Sequence, residues 1–382
     1  MPQWDLFDPP EDPFPLYRRL RDHAPVYHNT ERDFWALSRF DDVQAANRDW
    51  RTFSYARGVD IDGVGQLFHP GNFLDADPPT HTALRGVVKD YFRVSALREA
   101  FEPIVRDEVE SLLAGIDEDD CFDVGLDFAW HLPIRASAHL LGFPSEDCAR
   151  LRRIGDSALM VPVRPPMPPS VADGARTLRS YFEEQIQERR RHPRDDMLTR
   201  IACAEVDGRP IGGAGAGIAT IIFAGAVDTT ALTLTSAVYW LARHPGQRAL
   251  LVEDPSRIPE AIEELLRFDG PIQAFRRTAT TDVELHGTTI PAGANVVLAY
   301  GSANRDERRF ERADEFDVTR EPSRHLAFGD GIHHCIGAPL ARIEAQIALG
   351  TLLERLPEYE VIDGRRTHGL FRGFHELRIK RG

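Results

Sequence analysis

Between residues 79 and 270, apolar residues recur mostly at three- and four-residue spacing, the period of helices that bury one face. PTHTALRGVVKDYF and SALREAFEPIVRDEVESLLAGI predict two successive helices with a polar break between them. Upstream, PLYRRLRDHA and DDVQAANRD predict short helices around the brief strands PVYHN and FWALS. From 274 to 299 the pattern turns to strands, with turn signals at HG and PAG. An irregular stretch, NRDERRFERADEFDVTREPSRH, then precedes a final helix, PLARIEAQIALGTLLERL, and short strands. MVPVRPPMPPS holds five prolines in eleven residues, so it cannot be helix interior and must separate two helices as a surface loop. No repeat or linker divides the chain. We therefore expect one domain over residues 1–382, mainly α with small β-sheets.

Ile218 to Ala242, IATIIFAGAVDTTALTLTSAVYWLA, is apolar on all sides apart from one charge, Asp228. It is long enough to span a membrane. Its five threonines, Ser236 and Asp228 instead favour a central core helix of roughly 45–50 Å at ~1.5 Å per residue. A lone buried carboxylate is costly unless paired or functional. Thr229, Thr230 and Gly225 weaken the helix beside it. A kink with a hydrogen-bonded Asp228, or a groove in which an acid and a hydroxyl face a ligand, would account for them.

The net charge is −14, against nucleic-acid binding, which needs a basic footprint. The four cysteines are widely spaced and form no disulfide framework, as expected of a reducing cytoplasm. The acidic, proline-rich N-terminus has no apolar core for a signal or anchor, so no membrane span is expected.

FGDGIHHCIGAPLAR, residues 328–342, sets Cys335 among glycines and histidines at the mouth of a predicted helix. Three chemistries compete for such a cysteine: a zinc site, a nucleophilic thiol, or a thiolate ligand to a larger metal group.

Phe328, Gly329, Gly331, His333, Cys335 and Gly337 match the Phe-Gly-x-Gly-x-His-x-Cys-x-Gly loop of the cytochromes P-450. GAVDTT resembles that family's oxygen-activation helix. Glu264-x-x-Arg267, with Arg320 in FDVTR, resembles its Glu-Arg-Arg lattice, and DPPTHTALR its propionate-binding helix. The resemblance covers essentially the whole chain. Two positions depart from the pattern: Ala226 where a second glycine is common, and Glu307 where proline is usual, the latter expected to be a surface matter.

The resemblance implies the single-domain cytochrome P-450 fold, with haem b (iron protoporphyrin IX) between the central helix and the cysteine-loop helix. Cys335 becomes the axial thiolate, a ligand that favours O–O cleavage. The zinc alternative fits poorly, because adjacent His333, His334 and Cys335 cannot converge on one small ion. No base is nominated for a nucleophilic cysteine. Glycines let backbone lie against a flat macrocycle, as implied for Phe328 and Gly329. His81, Arg85, Arg277 and His333 are the implied propionate partners, with Arg276 as a substitute for Arg277. Asp228 and Thr229 are implied to deliver protons to dioxygen.

The implied activity is monooxygenation of a hydrophobic small molecule, by hydroxylation or O-demethylation, as in natural-product tailoring. A coupling or rearranging haem-thiolate enzyme is the alternative. Electrons would come from a separate ferredoxin or flavodoxin with its reductase, docking near Lys89, Arg93 and Arg342. The substrate pocket is expected between Gln66 and Phe73, in the proline-rich segment from Val161 to Val171, and at Leu370–Phe371. Its expected residues include Phe68, Phe73, Val161, Ala226, Ile272, Phe275 and Phe371.

Overall fold

The computed structural model describes residues 4, 10–61, 71–116, 120–159, 168–321, 324–367 and 369–382. Helices dominate, and the longest is the all-apolar segment, now Ala214–Arg243. It runs unbroken through the core, so the expected kink at Asp228 is not there. The Thr229 and Thr233 hydroxyls bond back to carbonyls four residues earlier, at 2.8 and 2.7 Å, while the backbone ladder continues. The helix is long and apolar enough to cross a membrane. Yet 72% of its most apolar 18-residue window is buried inside the protein, as for a core helix.

Against this helix pack Ile258–Asp269, Ala338–Arg355 and the pair His131–Leu141 and Pro169–Arg191. Pro169 opens the last of these at its first turn, where proline costs no hydrogen bond. The preceding helix, Cys148–Leu159, ends before the proline-rich run. Residues 160–167, with Val161, lie outside the described residues, as do 62–70 with Gln66 and Phe68.

A five-stranded sheet orders its strands Val26–Asn29, Phe34–Leu37, Asn295–Leu298, Phe275–Ala279, Phe53–Ser54. Only the contact between Phe34–Leu37 and Asn295–Leu298 is parallel, joining the N-terminal region to the last third of the chain. The HG signal is a two-residue hairpin turn joining Val283–Leu285 to Thr288–Ile290. His286 and Gly287 both take positive φ there, 52° and 73°. A second sheet pairs Phe374–Arg381 with Tyr359–Arg366 on one side and Cys121–Asp123 on the other.

Glu307 is more than a loop residue. Its carboxylate accepts from Arg21 Nη2 at 2.8 Å, and the Arg21 side chain is only 1% exposed. The departure from the family pattern therefore supplies the counter-charge to a buried arginine on the first helix, Phe14–His23.

Candidate active site

Where the central helix passes mid-molecule, its burial opens at one place. Gly225 is exposed and Ala226 and Thr229 are half-buried, whereas Val227 and Asp228 are buried. Gly225 and Ala226, with little or no side chain, leave a cavity open beside the helix. Cys335 and Gly337 form another part of its wall.

The cysteine loop owes its shape to glycines and to one buried acid. Gly329 and Gly331 have φ of 65° and 71°, and a Cβ on Gly331 would sit 2.7 Å from the Asn47 carbonyl. Asp330 accepts from the Gly331 N–H at 2.7 Å and pairs with Arg324 at 2.6 Å and Arg48 at 3.0 Å. The Cys335 N–H closes the turn onto the Phe328 carbonyl at 2.9 Å. Helix Ala338–Arg355 starts directly after.

The accessible face of Cys335 is the cavity wall, and protein encloses the thiol elsewhere. Burial pushes the thiol up. The N–H groups of Gly337 and Ala338, with the Arg85 and Arg342 guanidinium groups, pull the other way and favour the thiolate.

One end of the cavity is polar. His81 is 3% exposed, and neither of its ring nitrogens has a hydrogen-bond partner of normal geometry; the same holds for His333 Nε2 and Arg277 Nε. The two imidazoles lie 4.2 Å apart, and Tyr55 stacks on His333 at 3.5 Å. Burial, with nearby arginines adding to it, holds His81 down to about 4 and His333 down to about 2. Arg277 reaches the Tyr300 hydroxyl at 3.0 Å and Asn47 Oδ1 at 3.1 Å, and Arg85 donates to the His334 carbonyl at 2.7 Å. Nitrogen donors left without acceptors around an apolar cavity fit a flat apolar group carrying carboxylates. The cavity thus suits haem, with Cys335 on one face. Arg276 points away from the cavity, to Asn295 Oδ1 at 2.8 Å and the Gly58 carbonyl at 3.2 Å, because neighbouring strand residues face opposite sides.

Behind the loop, Arg267 donates to both Glu264 oxygens at 2.7 and 2.8 Å, and to the carbonyls of Asn304, Ala313 and Glu315. Arg320 Nε reaches Glu264 at 3.2 Å. The three charges expected to form a lattice do meet.

Phe73, Ala226, Ile272, Phe275, Phe328 and Thr229 line the cavity. Other expected positions are absent from the wall, His81 and Leu370 among them. Phe371 pairs with Ile272 in an isolated bridge, with its ring against the main core rather than in the cavity. Val171 is fully buried within its helix and packs in the main core. Asp228 is 3% exposed and absent from the wall, because one residue's 100° rotation turns it off the face Thr229 occupies.

The sequence reading passed over Asn47, Tyr55 and Tyr300 at the polar end, which carry no motif. It also passed over Glu344. That carboxyl is 1% exposed, lines the cavity and has Oε1 without a partner, while Thr230 hydrogen-bonds to it. Burial pushes it up to about 8. An acid nine residues after Cys335, in a helix apolar on most sides, was the available signal.

A family model described as Cytochrome P450 matches residues 256–364. The chain is 40% identical over 384 residues to "Putative cytochrome P450 123" of Mycobacterium tuberculosis, covering 98% of this chain and 95% of that protein. Among solved structures it resembles P450BioI, crystallised with hexadec-9Z-enoic acid-ligated acyl carrier protein. The TM-score there is 0.88 at 29% identity, covering 97% and 98% of the two chains. Cytochrome P450 CYP109Q5 from Chondromyces apiculatus is similar at TM-score 0.87 and 32% identity, covering 99% and 98%.

Proposed function

Because the chain belongs to the cytochrome P450 family and is a haem-thiolate monooxygenase, we propose that it inserts one oxygen atom from dioxygen into an uncharged hydrophobic small molecule. Hydroxylation or O-demethylation is the proposed outcome, in one mostly helical domain working in the cytoplasm. The observation that carries this reading is a single cavity with Cys335 on one wall and Thr229 on another, the described remainder of the distal lining being apolar.

Haem b, held through the Cys335 thiolate, supplies the activation of dioxygen and the oxygen-atom transfer. The residues of this chain do the rest. His81, Arg85, Arg277 and His333 anchor the cofactor's carboxylates at the polar end. The Thr229 hydroxyl holds a proton at the cavity face, and Asp228, buried one residue away, passes protons toward it. Phe73, Ile272 and Phe275 exclude water and orient the substrate.

Electrons are proposed to come from a ferredoxin or flavodoxin with its reductase. Within the candidate docking patch, Arg93 is paired with Asp90 at 2.7 Å and Arg342 with Glu263 at 2.7 Å, so its charge is largely matched. The deciding experiment is the visible spectrum of the reduced, carbon-monoxide-bound protein beside a Cys335→Ala variant. A strongly red-shifted Soret band in the first alone supports the assignment. An unshifted band in the native protein rejects it.

A further inference from the structure

Adjacent residues on a helix point about 100° apart. On Ile258–Asp269, Glu264 therefore turns toward Arg267 and Arg320, while Glu263 turns toward the cysteine loop. There it accepts from Arg342 Nε and Nη2 at 2.7 and 2.8 Å and from His325 Nε2 at 3.1 Å. The Ala327 N–H donates to His325 Nδ1 at 3.2 Å, which places the ring proton on Nε2. A neutral His325 thus satisfies both contacts.

His325 precedes the loop and Arg342 lies in the first turns of the helix after it, so one carboxylate holds both flanks. The Arg342 guanidinium also lies 4.5 Å over the Phe328 ring, and its field favours the thiolate at Cys335. The Glu263 and Arg342 side chains are 21% and 31% exposed and His325 is 4% exposed, so solvent screens this group only in part. Donors from Arg342 and His325 keep the Glu263 carboxyl ionised, at about 2, against the opposing effect of burial.

Resting on the haem-thiolate reading, we propose that Glu263, His325 and Arg342 are positioning residues that clamp the cysteine loop and set how much positive charge reaches the Cys335 thiolate. Reduction adds one electron to the haem-thiolate unit, taken from the redox partner. A nearby cation favours that charge, and Glu263 offsets most of the cation's effect. Glu263 is thereby a control on the reduction potential, distinct from its neighbour Glu264.

The test is a spectroelectrochemical titration of the haem-loaded protein, with the carbon-monoxide spectrum recorded in parallel. Glu263→Gln shifts the midpoint potential upward and Arg342→Gln shifts it downward. The double variant returns close to the native value. His325→Leu, which leaves both charges in place, keeps the potential but speeds haem loss. Potentials unchanged in both single charge variants, with the red-shifted band intact, overturn the proposal. So does loss of that band in folded variants, which would make the set a purely structural clamp. A native protein without the red-shifted band instead removes the haem-thiolate reading.

Discussion

The Thr229 hydroxyl faces the cavity while donating to the Gly225 carbonyl at 2.8 Å. Rotating it toward a ligand costs one backbone-directed bond, worth about 1 kcal/mol, which leaves it available for proton transfer. Thr229→Ala keeps reductant consumption but yields less product and more peroxide, measured as product formed per reductant consumed. Unchanged coupling would remove Thr229 from the mechanism. Glu344 makes a different prediction. Its carboxyl is raised from 4.5 to about 8 by burial. The folded state therefore binds the proton more tightly than the unfolded state, and stability falls as pH rises between those values. Over that window the loss amounts to about 5 kcal/mol at most. Glu344→Gln should flatten the dependence of the melting temperature on pH in the haem-free chain. An unaltered slope would place the titration elsewhere.

Among elements, the cysteine loop and the Glu264 cluster are where sequence demands are strictest. Gly329 and Gly331 both hold left-handed backbone, yet only on Gly331 would a Cβ clash with another chain segment, 2.7 Å from the Asn47 carbonyl. Gly331→Ala should therefore destabilise more than Gly329→Ala, by about 1–3 kcal/mol, in chemical denaturation. Glu264→Ala strands Arg267, which is 3% exposed, without its carboxylate. A loss of about 3–5 kcal/mol, with poor haem retention, is the expected result. Both elements were legible in the sequence because their residues are tied to local backbone geometry and to a one-turn spacing. Their long-range partners were not. Nothing in the string of residues announces that Asn47 closes over Gly331, or that Glu307 meets Arg21 across 286 positions.

For the whole molecule, the charge balance bears on partners and substrates. With Arg93 and Arg342 already paired, reduction by a ferredoxin-type donor should vary by only about threefold between low and physiological salt. A steep dependence would reinstate an electrostatic docking patch. The apolar distal lining among the described residues predicts spin-state shifts with neutral hydrophobic compounds. Carboxylate analogues of the same shape should bind at least about tenfold more weakly, since no buried cation among the described residues on that side offsets their desolvation.

Periodicity determined the helices and strands, because each element's apolar face repeats locally. The glycine-bracketed Cys335 loop, the Glu264–Arg267 spacing and the all-apolar central helix pointed to the chemistry, because backbone constraints leave a local trace. Only the tertiary structure decided which side of that helix opens. It put Thr229 on the cavity wall and Asp228 off it, and turned Phe371 into the core. It also gathered His81, Tyr55, Arg277 and His333 from distant segments into one polar end, and set Glu263 against both flanks of the cysteine loop. Those outcomes depend on helix rotation and on packing between segments far apart in the chain, and neither leaves a periodic signal along it.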